Sequence, residues 1–199
     1  WQPSPGISQV NKLLDADCNL LEQLLADQSI FDQPEHLHTL VLRSVEAADE
    51  LLAVLASLAL VYRPRLLLFT FGGHGSPASG DCASLLQFRG SQPGLSAMRL
   101  APLLYACRAA ATLVVLDCCY STGVFGNVSF PGLIVIPACG EQEKTYSDFT
   151  SNCFVPVLRG TCGAHKSCVK FQAQCASDGA VGVLPFAQHL HFHLPVLYF

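Results

Sequence analysis

The sequence predicts an α/β fold with a mostly parallel central sheet. Three short, continuous apolar runs carry that expectation, Leu66 to Phe71, Leu113 to Leu116 and Leu133 to Ile136, with helix-spaced segments before and between them. Runs of this length without polar alternation read as strands buried on both faces. Strand, crossover and strand in succession imply parallel pairing with right-handed connections. With 199 residues, 51% of them hydrophobic, the chain can form one substantial core, so a single domain over 1–199 is expected.

Asp17 to Ala26 places Leu20, Leu21, Leu24 and Leu25 at helical spacing. Ser44 to Leu60 repeats the pattern with Val45, Ala48, Leu51, Leu52, Leu55 and Leu58, starting from Ser44 as N-cap, with Glu46, Asp49 and Glu50 near the positive end of the dipole. Pro64 separates this helix from Leu66 to Phe71, and Gly72-Gly73 closes that strand. Ser96 to Cys107 offers Met98, Leu100, Leu103 and Leu104 as a crossover helix, whose start Pro102 restricts. Leu190 to Phe199 is read as a terminal strand.

Charge and cysteine usage narrow the partners. A net charge of -4 with only 11 Lys and Arg gives no basic field for nucleic acid or an anionic membrane. The longest apolar stretch, Leu51 to Tyr62, is stopped by Arg63-Pro64-Arg65, well short of the roughly 20 residues of a bilayer span. Trp1 to Gly6 shows neither a starting Met nor a basic segment leading into an apolar one, so no signal peptide is expected. The ten cysteines are spread through helix-like and strand-like runs, two of them adjacent, which favours reduced thiols and a cytoplasmic setting.

Two of the strand ends carry reactive groups. Gly72-Gly73-His74-Gly75 follows the first run and Asp117-Cys118-Cys119-Tyr120-Ser121 the second. Loops at the carboxyl ends of parallel strands share one edge of the sheet, so His74 and Cys119 are expected to meet there. A thiol beside an imidazole becomes a nucleophile able to attack a carbonyl without metal or organic cofactor. Glycines around His74 let the backbone approach a substrate, with the Gly75 N–H and the nucleophile's own N–H as oxyanion donors. Singly, such a His or Cys is more often an ordinary loop residue or a small buried hydrophobe; the pair at two strand ends favours function.

These two motifs resemble the histidine and cysteine motifs of caspase-like peptidases of the metacaspase type. The spacing agrees with the caspase arrangement, in which the His precedes the Cys by about 50 residues. Leu133 to Gly140 followed by Ser147-Asp148-Phe149-Thr150 is similar to the next core strand and the helix start of fungal caspase-like domains. The likeness covers roughly Asp15 to Gly160, with 161–199 as a C-terminal extension. It implies a three-layer α/β/α sandwich, cysteine endopeptidase activity and a part in programmed cell death.

By the same resemblance, Cys119 matches the nucleophile, His74 the general base, and Cys118 a variable position turned into the core. Asp117 matches an acid of the pocket for the residue before the cleaved bond, which implies Arg or Lys there. Asp17 matches a second acid of that pocket or is simply an acid at a helix N-terminus. The chain departs from the family at Thr122, where the pattern has Gly, at Gly72, where it often has Ser, and in Trp1 to Leu14, which offers no counterpart to the first core strand. An interior strand missing from a sheet leaves an edge exposed.

No metal or other cofactor is expected. Gly75 to Phe130 holds just two acidic residues, Asp81 and Asp117, too few for calcium. Cys162, His165, Cys168 and Cys175 match no common zinc spacing and read as scattered thiols on a loop. His189, His191 and His193 alternate on one strand face, either as a metal tract or, preferably, as a solvent-facing side. Two functions follow: a peptidase acting on peptide or protein substrates, with flanking signalling domains in a longer chain, or a catalytically weak module of the same fold used for interaction.

Overall fold

A computed structural model describes residues 5–26, 40, 42, 47–79, 83–88, 91–145, 149–158 and 196–197. The chain divides into two compact units, Trp1–Leu37 with Ser147–Leu194, and His38–Tyr146 with Pro195–Phe199.

In the first unit, helix α1 spans Pro5–Ala26 and packs against a π-helical segment, Thr150–Phe154, and the short helix α5, Val155–Leu158. Leu21 and Leu24 are buried from one side, Phe154 and Val155 from the other. Helix α1 starts well before the expected Asp17. Asp17 is therefore inside the helix, 6% exposed, and its reading as an N-terminal acid does not hold.

The second unit is mixed α/β around a mostly parallel sheet. Its elements are α2 (Ala48–Val61), β1 (Leu66–Gly72), β2 (His74–Ser76), β3 (Leu85–Phe88), β4 (Ser91–Leu95), α3 (Ala97–Ala106), β5 (Ala111–Asp117), α4 (Ser121–Val124), β6 (Leu133–Pro137) and β7 (Val196–Leu197). The sheet order is β6-β5-β1-β7, with every pairing parallel. All three apolar runs are strands of this sheet. Strands β2, β3 and β4 form a separate antiparallel sheet.

Alternation along β1 and β5 sends Leu67, Phe69, Val114 and Leu116 into the main core. Helices α2 and α3 supply Leu51, Leu55, Leu100 and Leu104 to the same core, while Leu86 and Leu95 come from the small sheet. Leu66, Leu68, Leu113 and Val115, on the other face of the strands, are also buried. Burial on both faces is why these runs lack polar alternation.

The helices differ from expectation in detail. Helix α2 is capped by Ala47 without a side-chain hydrogen bond, so Ser44 is not its N-cap. In α3 the buried residues are Ala97, Leu100, Ala101 and Leu104, a regular i, i+3, i+4, i+7 stripe. That stripe leaves Met98 outside, at 72% exposure. Strand β7 falls within the expected Leu190 to Phe199 strand and pairs with β1 through Leu66↔Val196 and Leu67↔Leu197. Among the described residues, Cys107, Cys118, Cys119 and Cys139 are free thiols. No helix among them is long and apolar enough to cross a membrane.

Candidate active site

Strands β1 and β5 run in register from Leu66↔Ala111 to Gly72↔Asp117, and they end together. The Gly73 N–H carries the ladder one step further by donating to the Asp117 carbonyl at 3.2 Å. His74 and Cys119 therefore each follow by two residues a matched pair on adjacent strands. His74 opens β2 and is held there by antiparallel pairing with Gln87. It is exposed, whereas Cys119 is half-buried.

Gly75 supplies the closest measure of how the two segments meet. A Cβ added there would fall 2.0 Å from the Cys119 carbonyl oxygen and 3.4 Å from the Cys118 sulfur. Only a residue without a side chain lets β2 lie this close to the peptide of Cys119. His74, Gly75, Asp117 and Cys119 are thus gathered at one sheet edge. Asp17 belongs to the other compact unit.

Past Asp117 the chain turns sharply. Cys118 is fully buried in the main core, and Tyr120 adopts a left-handed conformation, φ 59° and ψ 25°, before α4 begins at Ser121. A left-handed non-glycine residue costs about 1–2 kcal/mol, so neighbouring bonds must hold it. The loop after β6 does so. The Tyr120 N–H donates to the Glu143 carbonyl at 2.8 Å, and the Thr122 N–H and Oγ1 both donate to the Cys139 carbonyl, at 3.2 and 2.6 Å. Ser121 Oγ, fully buried, accepts from the Cys139 N–H at 3.0 Å and lies 3.1 Å from the Cys139 carbonyl.

The Thr122 hydroxyl is used on Cys139, and one place later a Cβ on Gly123 would lie 2.4 Å from Ser84 Oγ.

The two adjacent cysteines occupy different environments. Burial pushes the Cys118 thiol far above its ordinary range, and the nearby Cys139, Asp117 and Cys119 add to the shift. Cys118 is therefore a protonated, inert part of the core. Cys119 is more open, and its sulfur lies 3.7 Å from the Thr145 carbonyl. Asp117 is 1% exposed at the end of β5.

Among the described residues no three His, Cys, Asp or Glu side chains gather in a way that would hold a metal ion. Cys162, His165, Cys168, Cys175, His189, His191 and His193 lie outside those residues. Cys139, with Ser121 and Thr145, was not singled out by sequence reasoning. The available signal was its place at the end of the third apolar run, just as Cys119 follows the second. In comparisons with protein-family models, curated proteins and solved structures, none matches this chain.

Proposed function

We propose that this protein is a caspase-like cysteine endopeptidase of the metacaspase type, acting with a Cys119–His74 dyad in the cytoplasm. The observation that carries the proposal is the close approach of Gly75 to the Cys119 carbonyl at the ends of two in-register strands. This brings a base-bearing and a thiol-bearing segment together with backbone N–H groups nearby, as acyl transfer requires.

In the proposed reaction, His74 takes the thiol proton and the Cys119 sulfur bonds to the scissile carbonyl carbon. The oxyanion is held by the Gly75 and Cys119 N–H groups. The tetrahedral intermediate collapses, the C–N bond breaks, and His74 passes its proton to the leaving amine. Water, activated by His74, then hydrolyses the thioester and restores the thiol. Asp117, a carboxylate two residues before the nucleophile, favours Arg or Lys before the scissile bond and repels Asp. Peptide or protein chains are the substrates, and no cofactor takes part.

The test uses reporter peptides ending in Arg, Lys or Asp, with the Cys119→Ala and Cys118→Ala proteins alongside. Cleavage after Arg or Lys that is lost in Cys119→Ala and kept in Cys118→Ala is the expected result. Absence of cleavage after either basic residue, or cleavage unaffected by Cys119→Ala, refutes the proposal; cleavage after Asp refutes the pocket assignment. One observation favours a second reading as a catalytically weak interaction module: the Cys119 sulfur meets the Thr145 carbonyl of its own chain. Intact reporter peptides with a reactive, folded protein would support that reading.

A further inference from the structure

We infer that Cys139 is a positioning residue for the oxyanion hole: its thiol, donated to the Cys118 carbonyl, sets the direction of the Cys119 N–H. The inference rests on the peptidase reading and deepens it.

An amide is planar, and its C=O and trans N–H point in opposite directions. Whatever fixes the Cys118 carbonyl therefore fixes the Cys119 N–H, because both belong to one peptide. Cys139 Sγ lies 3.3 Å from the Cys118 carbonyl oxygen, 3.3 Å from that of Glu143 and 3.5 Å from Ser121 Oγ, so the thiol links the nucleophile's peptide, the loop after β6 and the start of α4, with the two carbonyls as the nearer acceptors of its single hydrogen. A thiol is a weak donor, yet a bond to the carbonyl polarises the amide and strengthens its N–H.

Cys139 is itself held in place. It is 8% exposed, its N–H donates to Ser121 Oγ, and its carbonyl accepts from Thr122. Residues on both sides of Cys119 are thereby tied to one residue at the end of β6. Direction matters because oxyanion donors act only where charge develops. Deleting one lowers kcat by about 10²–10³-fold, so loosening one is expected to lower it by about 10-fold.

Two probes separate this role from simple support of the fold. With a peptide aldehyde ending in Arg, the Cys119 sulfur bonds to the aldehyde carbon. The C=O π bond breaks, and the thiol proton ends on oxygen, which sits in the hole. With iodoacetamide the S–C bond forms as C–I breaks, iodide leaves, the thiol proton goes to solvent, and no oxyanion develops.

Cys139→Ala is expected to raise the aldehyde Ki and lower kcat by about 10-fold each, with KM unchanged. Alkylation of Cys119 by iodoacetamide, read by mass spectrometry, is expected to stay at the wild-type rate. Cys139→Ser, which keeps a hydrogen-bond donor at the same position, is expected to restore most of the loss. Cys139→Val, which keeps the bulk without the donor, replaces the alanine variant if that one fails to fold.

A donor-less variant with wild-type Ki and kcat overturns the inference and leaves the peptidase reading standing. Parallel loss of aldehyde binding and alkylation, unrelieved by Ser, marks a merely structural role and also overturns it. A wild-type protein alkylated at Cys119 that neither binds the aldehyde nor cleaves peptides overturns both.

Discussion

Gly75→Ala is the substitution whose effect follows most directly from the geometry. It places a methyl carbon 2.0 Å from the Cys119 carbonyl oxygen and 3.0 Å from the carbonyl carbon. Both are backbone atoms, so no side chain can swing aside. Restoring even a tight contact requires one of the two segments to withdraw by about 1 Å, and a displacement of that size in an active site costs about 10²-fold in rate. Overpacking of this kind also lowers stability by about 1–3 kcal/mol. The assay is kcat/KM on an Arg reporter peptide, paired with urea denaturation. Gly73→Ala is the control, because the atoms nearest its Cβ, at 2.9 and 3.0 Å, belong to the Phe71 side chain and not to backbone. Wild-type rate and stability in Gly75→Ala would refute the close approach of β2 to the Cys119 peptide.

Three further outcomes are expected. Asp117→Asn should reduce the preference for Arg and Lys over neutral residues by about 10-fold or more, read as kcat/KM ratios across the reporter peptides, since a charged hydrogen bond contributes about 1.5–3 kcal/mol. Burial keeps the Cys118 thiol protonated in the folded state at pH values where the unfolded chain ionises from the ordinary 9.0 upward. The unfolded state then binds fewer protons, so stability is fully retained below pH 9 and falls above it by up to about 1.4 kcal/mol per pH unit. Urea midpoints measured from pH 8 to 10.5 should show a shallower decline in Cys118→Ala. Phe69→Ala, which empties a 1% exposed position of the main core on β1, should lower the unfolding free energy by about 3–5 kcal/mol in the same assay.

Strands β1 and β5 were legible because burial on both faces writes itself as an unbroken apolar run, whereas β6 reads the same although Ile134 is 40% exposed and of its residues just Ile136 is buried. The small antiparallel sheet was not legible. Its strands include His74-Gly75-Ser76 and Ser91-Gln92-Pro93-Gly94-Leu95, which are rich in the Gly and Pro that normally argue against a strand. Local propensity was overridden by pairing with Leu85–Phe88. Helix α3 shows the same limit at one residue: Met98 is apolar, but the Ala97 and Ala101 positions, small and unremarked, own the buried stripe. At the candidate site, the meeting of the His74 and Cys119 segments was legible from their places just past two strand ends. Cys139 could not be assigned a role, since its bonds to Cys118, Ser121 and Thr122 depend on how the β6 loop folds back on the turn after β5.

The pairing of β7 with β1 has a consequence for the order in which the molecule assembles. Leu66 and Leu67 meet Val196 and Leu197 across most of the chain, whereas β5 and β6 are joined by a short connection. Closing a longer loop carries a larger entropic cost, and pairings between distant segments delay folding. During synthesis the amino-terminal elements emerge first. Strand β1 can therefore take up β5 while its opposite flank, with the N–H and C=O groups beside Leu66 and Leu67, still awaits a strand not yet made. For that interval the nascent chain carries an open β edge able to recruit the wrong partner, and a chain cut short before Val196 would keep that edge in its finished state.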